Sequence, residues 1–231
     1  MAKRKSKSGL LNLFSTNTSK SQSKQTTRKN SRASSSIEML RRENERIDRE
    51  VNKAIAEMDA AARAYSNGGD INKAIAVYEK HVLDLSKLQW NAFNYCLDLA
   101  ELYVKANKKD AAWGYLNNMF LYSMAHPNNN WLPHKIRFAQ FKILKSEKKY
   151  KDALFMLVDS YVTNSVGMTR PYFNRNAFLK DVKTTAKGVG LTEDELMIFT
   201  NTLESHIMAR TIQPRDVYQF CTNCLSAFGK A

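Results

Sequence analysis

The sequence predicts an all-α protein: a superhelical array of antiparallel helix pairs closed by C-terminal capping helices. Three observations predict it. First, one pattern recurs three times between Met58 and Tyr161, with Ala74, Ala112 and Ala153 as anchors. Nine residues before each anchor stands Tyr65, Tyr103 or Leu144, and four after it stands Tyr78, Leu116 or Leu157. The anchors lie 38 and 41 residues apart, a period typical of helical-repeat arrays. Second, only 8 glycines and 4 prolines interrupt 231 residues, which favours long helices over many short strands. Third, the apolar residues recur at spacings of three and four, the period of a half-buried helix.

The chain opens on a segment that composition predicts to be disordered. Residues 1–35 are rich in Lys, Arg, Ser, Thr, Asn and Gln, with one short apolar patch around Leu10, Leu11, Leu13 and Phe14. Such a composition cannot bury enough surface to offset the entropy of ordering. Residues 1–37 hold nine basic side chains and no acidic one, so +9 of the net +14 sits there. Lys3, Arg4, Lys5, Lys7, Arg28, Lys29 and Arg32 make this a basic arm. Four readings stay open for it: a solvated tail, an arm on nucleic acid, an arm on anionic lipid, or a transit peptide.

Ser35-Ser36-Ile37-Glu38 has the spacing of a capping box and predicts a helix start. From there Ile37, Leu40, Ile47, Val51, Ala54, Met58, Ala61 and Tyr65 keep heptad spacing, with Asn44 in the seam. Such a seam can form a coiled-coil homodimer over Ile37–Tyr65. The charges disfavour a parallel one, because Glu43 would face Asp48 of the second copy. Packing of this seam within the chain is the preferred expectation.

Each repeat reads as two helices about a reversal. In the first, Ala61, Ala62 and Tyr65 share a face, the run Ser66–Asp70 breaks the helix, and Ala74, Ile75, Tyr78 and Val82 face inward on the next. Gly69 suits a left-handed helix end and Asp70 an N-cap. Asn107 and Lys148 stand at the matching reversals. The third copy departs most, with Phe141 in place of a small residue and Lys148 in place of glycine. Trp90 and Trp131 each precede an anchor by 22 residues and are expected to pack between helix pairs.

The stretch AYSNGGDINKAIAVYEK, through Tyr65, Gly69, Asp70, Ala74 and Tyr78, resembles the tetratricopeptide repeat family, as do Leu99, Ala100, Tyr103 and Ala112 in the second copy. The resemblance covers residues 55–161 and departs from the family's period of about 34 residues. The surplus falls in the connections around His81–Trp90 and His126–Trp131. The resemblance implies a concave groove lined by the first helix of each pair, here through Arg63, Glu101, Lys105, Lys135, Lys142 and Lys145. It implies a protein or peptide partner, acidic or offering a C-terminal carboxylate. The family's chaperone-tail clamp is not implied. At its positions stand Asp59, Arg63, Asp98, Lys135 and Ala139, and only Lys135 fits.

The array is expected over residues 36–162 and a helical cap over 163–231. In the cap, Pro171 can open a helix carrying Phe178, Val182 and Ala186, stopped by Gly188 and Gly190. Thr192–Glu195 forms a second capping box before Leu196, Phe199, Leu203 and Ile207. Pro214 opens a last helix carrying Val217, Phe220, Cys221, Cys224, Leu225 and Phe228.

No motif for chemistry emerges. Cys221-x-x-Cys224 lacks the second pair a structural zinc needs, so both thiols are read as packing. His81, His126, His134 and His206 show no metal-binding spacing, and no phosphate loop or dinucleotide fingerprint occurs. The expectation is a non-enzyme with neither cofactor nor metal. Three cysteines and no apolar run long enough to span a bilayer point to the cytoplasm.

Overall fold

A computed structural model describes residues 19–85, 92–127, 132–166 and 175–230, with backbone alone for 19–35, 165–166 and 175. Among the described residues the protein is all-helical: nine α-helices and no strand. They are α1 (Ser19–Asn67), α2 (Ile71–Val82), α3 (Phe93–Lys105), α4 (Lys109–Ala125), α5 (Pro133–Ser146), α6 (Tyr150–Val166), α7 (Arg175–Val189), α8 (Glu193–Met208) and α9 (Val217–Ala227). The chain divides into two units, Met1–Ala54 and Ile55–Ala231. Trp90, Trp131, Pro171, the Leu10–Phe14 patch and Lys3, Arg4, Lys5 and Lys7 lie outside the described residues, as do the side chains of Arg28, Lys29 and Arg32.

In the first unit, α1 begins at Ser19 and not at the capping box expected at Ser35. No glycine or proline interrupts the chain from there to Asn67, so nothing forces a later start. Packing of the seam within the chain holds at Met58, which is buried, and does not extend to its first residues. Ile37, Leu40 and Ile47 are 66%, 65% and 42% exposed. What supports this stretch is a ladder of exposed side-chain pairs at spacings of three and four. It comprises Glu38–Arg42 at 3.3 Å, Arg41–Glu45 at 3.0 Å, Glu43–Arg46 at 2.6 Å and Arg46–Glu50 at 2.9 Å.

In the second unit the three anchors, Ala74, Ala112 and Ala153, are wholly buried. The three reversals share one backbone geometry. Gly69, Asn107 and Lys148 have φ of 84°, 57° and 59°. At each, two N–H groups turn back onto the helix that has just ended. The residue at the reversal donates to Ser66, Val104 or Lys145, and the next one to Tyr65, Tyr103 or Leu144. This is the Schellman arrangement, which satisfies carbonyls that a helix end leaves open. Asp70 then caps α2 by accepting from the Lys73 N–H at 3.3 Å. Ala61, expected on the buried face, is exposed, while its neighbour Ala62 is buried. Tyr65 is 42% exposed, unlike Tyr103, whose hydroxyl reaches back to Glu79 of the preceding hairpin at 2.7 Å. As the first in the series, Tyr65 has no earlier hairpin to cover it.

Sequential helices pack on one another, α2 on α3, α3 on α4, α4 on α5 and α5 on α6, and α3 also touches α5. Two apolar cores result. One gathers Met58, Ala62, Ala74, Ile75, Tyr78, Leu99, Leu116 and Met119, and α5 closes it with Ile136 and Ile143. The other lies between Phe141 and Leu144 of α5, the buried residues of α6, and α7–α9. The expected break between residues 162 and 163 is therefore not a packing boundary. Helix α6 runs through it and packs against α5, α7 and α9 together. The capping box at Thr192 forms as expected, and Pro214 opens a single 3-10 turn before α9. Gly190, at φ 90°, ends the α7 region. Gly188 sits inside α7 instead, because a Cβ there would meet the Tyr150 ring at 2.4 Å.

A polar cluster ties α4, α5 and α6 together. Arg137 and Asp159 approach to 2.8 Å with side chains only 18% and 14% exposed. The guanidinium lies 3.6 Å from the centre of the Phe120 ring and donates to Gln140 Oε1 at 2.9 Å. Gln140 in turn donates to Asn117, and Thr163 donates to Asp159.

Candidate partner-binding groove

The first helices of the hairpins carry the candidate residues, and small side chains set the space between them. Ala100 on α3 and Ala139 on α5 leave a gap that neither side fills. Leu116 of α4 forms its floor with Val104 and Ile143 at the sides, giving an apolar pocket of about 220 Å³. Lys105, Lys142 and Glu101 stand at its rim. A second depression of the same volume lies between the end of α1 and α3, lined by polar groups including Arg63, Asn67, Tyr78 and Asp98. The two adjoin, since Glu101 and Lys105 line both.

Four of the six groove residues read from the sequence, Arg63, Glu101, Lys105 and Lys142, thus come together along this trough. Lys145 does not. It turns toward α7, where its ammonium lies 3.2 Å from Asp181 and 3.0 Å from the Thr184 hydroxyl. Lys135 is exposed on α5 and lines neither depression.

The trough is less basic than the sequence implied. Arg63 pairs with Asp59 at 2.8 Å and lies 4.0 Å from Asp98. Asp59 also accepts from the Tyr78 hydroxyl at 2.7 Å. Burial holds the Asp98 carboxyl above its ordinary range, with Arg63 opposing. Lys142 reaches Glu101 at 4.0 Å, both side chains 60% exposed, so that pair is loose. Lys105 forms no ion pair among the described residues. The charge left over is therefore that of Lys105, which lines both depressions.

The apolar pocket was the part that sequence reading missed. No repeat signal marked it, since the third-copy position that matches Ala100 is Phe141 and Ala139 stands two residues earlier. Elsewhere, Cys221 is buried and Cys224 half-buried, and burial raises both thiols, which favours their protonated form. Among the described residues no three His, Cys, Asp or Glu side chains group as metal ligands. No described helix is long and apolar enough to cross a membrane. Compared with protein-family models, curated proteins and solved structures, the chain matches none.

Proposed function

We propose that this chain is a non-catalytic adaptor of the cytoplasm, a tetratricopeptide-like superhelical array that takes a segment of a partner protein along the α1–α3–α5 trough. The observation that carries this reading is the adjoining pair of depressions, one apolar and one polar, lined by residues of three successive first helices. Apolar anchoring with a few directed polar groups is what peptide recognition requires. To test it, a photoreactive residue replaces Lys142 in the trough or, as a control, Lys109 on α4. Crosslinks to one polypeptide from position 142 and not from 109 support the reading. Equal labelling from both positions, or none from 142, removes it.

A second reading rests on a separate observation, the nine cations and no anion of residues 1–37. Lys20, Lys24, Arg28 and Arg32 recur at every fourth position of α1. Such a run suits a phosphate backbone, where affinity needs charge more than shape. Nucleic-acid binding would then fall steeply with salt and disappear on deletion of residues 1–35. Retention of RNA or DNA by the truncated chain would overturn this second reading.

A further inference from the structure

We infer that the open part of the α1 seam, residues 37–54, holds a second copy of this chain as an antiparallel coiled coil. Ile37, Leu40, Asn44, Ile47, Val51 and Ala54 follow one another there at heptad spacing on a continuous helix. Ile37, Leu40 and Ile47 stand 66%, 65% and 42% exposed, so the single chain leaves an apolar stripe open to water. A stripe of that period is what a partner helix covers.

The seam is complementary to itself. Set antiparallel about a dyad between Asn44 and Ile47, it makes six layers. Ile37 meets Ala54 of the second copy, Leu40 meets Val51, Asn44 meets Ile47, and the same three recur reversed. The two Asn44 amides fall in adjacent layers, about 4.5 Å apart along the axis, within reach of one another. On one flank Arg41 of each copy meets Asp48 of the other, an attractive pair made twice. On the other flank Glu43 nears Glu50 of the second copy, but in each chain Arg46 already bridges these two carboxylates, at 2.6 and 2.9 Å. A parallel pair would set Glu43 against Asp48 twice and gain no attraction between the copies. It would also run the copies together toward Met58, where the stripe is already buried in its own chain. Six layers are few, so the pair should form at about 100 μM and separate near about 1 μM, where unfolding reads the single chain.

Sedimentation velocity of the full chain tests this. The mass should rise from one chain toward two between those concentrations. Leu40→Asp/Ile47→Asp should stay a single chain throughout, with helix content by circular dichroism unchanged, because both sites are exposed. Asp48→Arg decides the orientation. In the antiparallel pair it sets arginine against Arg41 twice and should weaken association about tenfold. In a parallel pair it would meet Glu43 and tighten association. Arg41→Glu/Asp48→Arg should restore the original strength, since the two charges have merely changed places. A single chain at the higher concentration, association that survives Leu40→Asp/Ile47→Asp, or tightening by Asp48→Arg overturns the inference.

Discussion

Two arginine–carboxylate pairs in this molecule have nearly the same length and opposite surroundings. Arg46 meets Glu43 at 2.6 Å on α1, with both side chains more than half exposed. Arg137 meets Asp159 at 2.8 Å between α5 and α6, with both mostly buried. In the first, water and salt screen the charges, and each partner would be well solvated alone. In the second, both partners are pushed toward neutrality. Burial raises the Asp159 carboxyl and lowers the Arg137 guanidinium, and their mutual attraction only partly offsets this. Distance alone thus says little about what a pair does. The same contrast separates the helices themselves, α6 held by apolar burial and residues 36–50 of α1 by side-chain pairs along an exposed helix.

The largest expected effect comes from breaking the buried pair. Arg137→Ala should destabilise the protein by about 3–5 kcal/mol in urea unfolding, because it leaves a mostly buried carboxylate without its cation. The pH dependence gives a sharper check. Asp159 in the folded chain already holds its proton to a higher pH than in the unfolded chain. Its contribution to stability is therefore best below the ordinary carboxylate value of about 3.9 and declines as pH rises through the raised folded value. Without Arg137 that folded value rises further. The deficit of Arg137→Ala should then be greatest near neutrality and shrink on acidification. A deficit that is flat with pH would mean Asp159 is solvated.

Leu157→Ala and Ile47→Ala test the helices instead of the pairs. Leu157 is wholly buried and its truncation should cost about 2–5 kcal/mol. Ile47 is 42% exposed, and its truncation should fall within about 0.5 kcal/mol of zero. If Ile47→Ala costs as much as Leu157→Ala, the α1 seam is covered in solution and the contrast between the helices fails.

How much of this was legible in the sequence depends on whether the cause was local. Ala74, Ala112 and Ala153 were readable as buried because a small residue repeating between larger apolar ones has few other uses. The reversals at Gly69 and Asn107 were readable from residue type. Lys148 was readable only from its place in the repeat, since lysine by itself does not advertise a φ of 59°. Long-range partners were not readable. The heptad series of α1 looks the same whether or not anything covers it. Lys145 carries the same charge whether it faces the trough or Asp181. The apolar pocket depended on Ala100 and Ala139 coming opposite one another, which only the α3–α5 packing decides.

Lys148 offers a milder change of opposite sign. A side chain in the left-handed region carries a penalty of about 1–2 kcal/mol that glycine avoids. Lys148→Gly should raise stability by up to about 1 kcal/mol, after allowing for the flexibility glycine adds to the unfolded chain. Gly69→Ala, which introduces the same penalty, should lower it by a similar amount. If Lys148→Gly destabilises the protein, the Lys148 side chain makes contacts that outweigh its backbone strain.

The smallest effect is expected at Arg46, and it completes the comparison. Arg46 serves two carboxylates, Glu43 and Glu50, and its hydrogen bond holds the Glu43 carboxyl below the ordinary range. By distance alone it would rank among the strongest contacts in the chain. Its exposure, more than half, argues otherwise, because both carboxylates return to water when the arginine goes. Arg46→Ala should leave the urea midpoint of the whole protein unchanged within error. Its trace should appear only in an isolated peptide spanning residues 36–54, as a loss of helix content that is larger at low salt than at high. A clear loss of stability in the whole protein, insensitive to salt, would place this pair in a covered site and make it a counterpart of Arg137–Asp159, not its contrast.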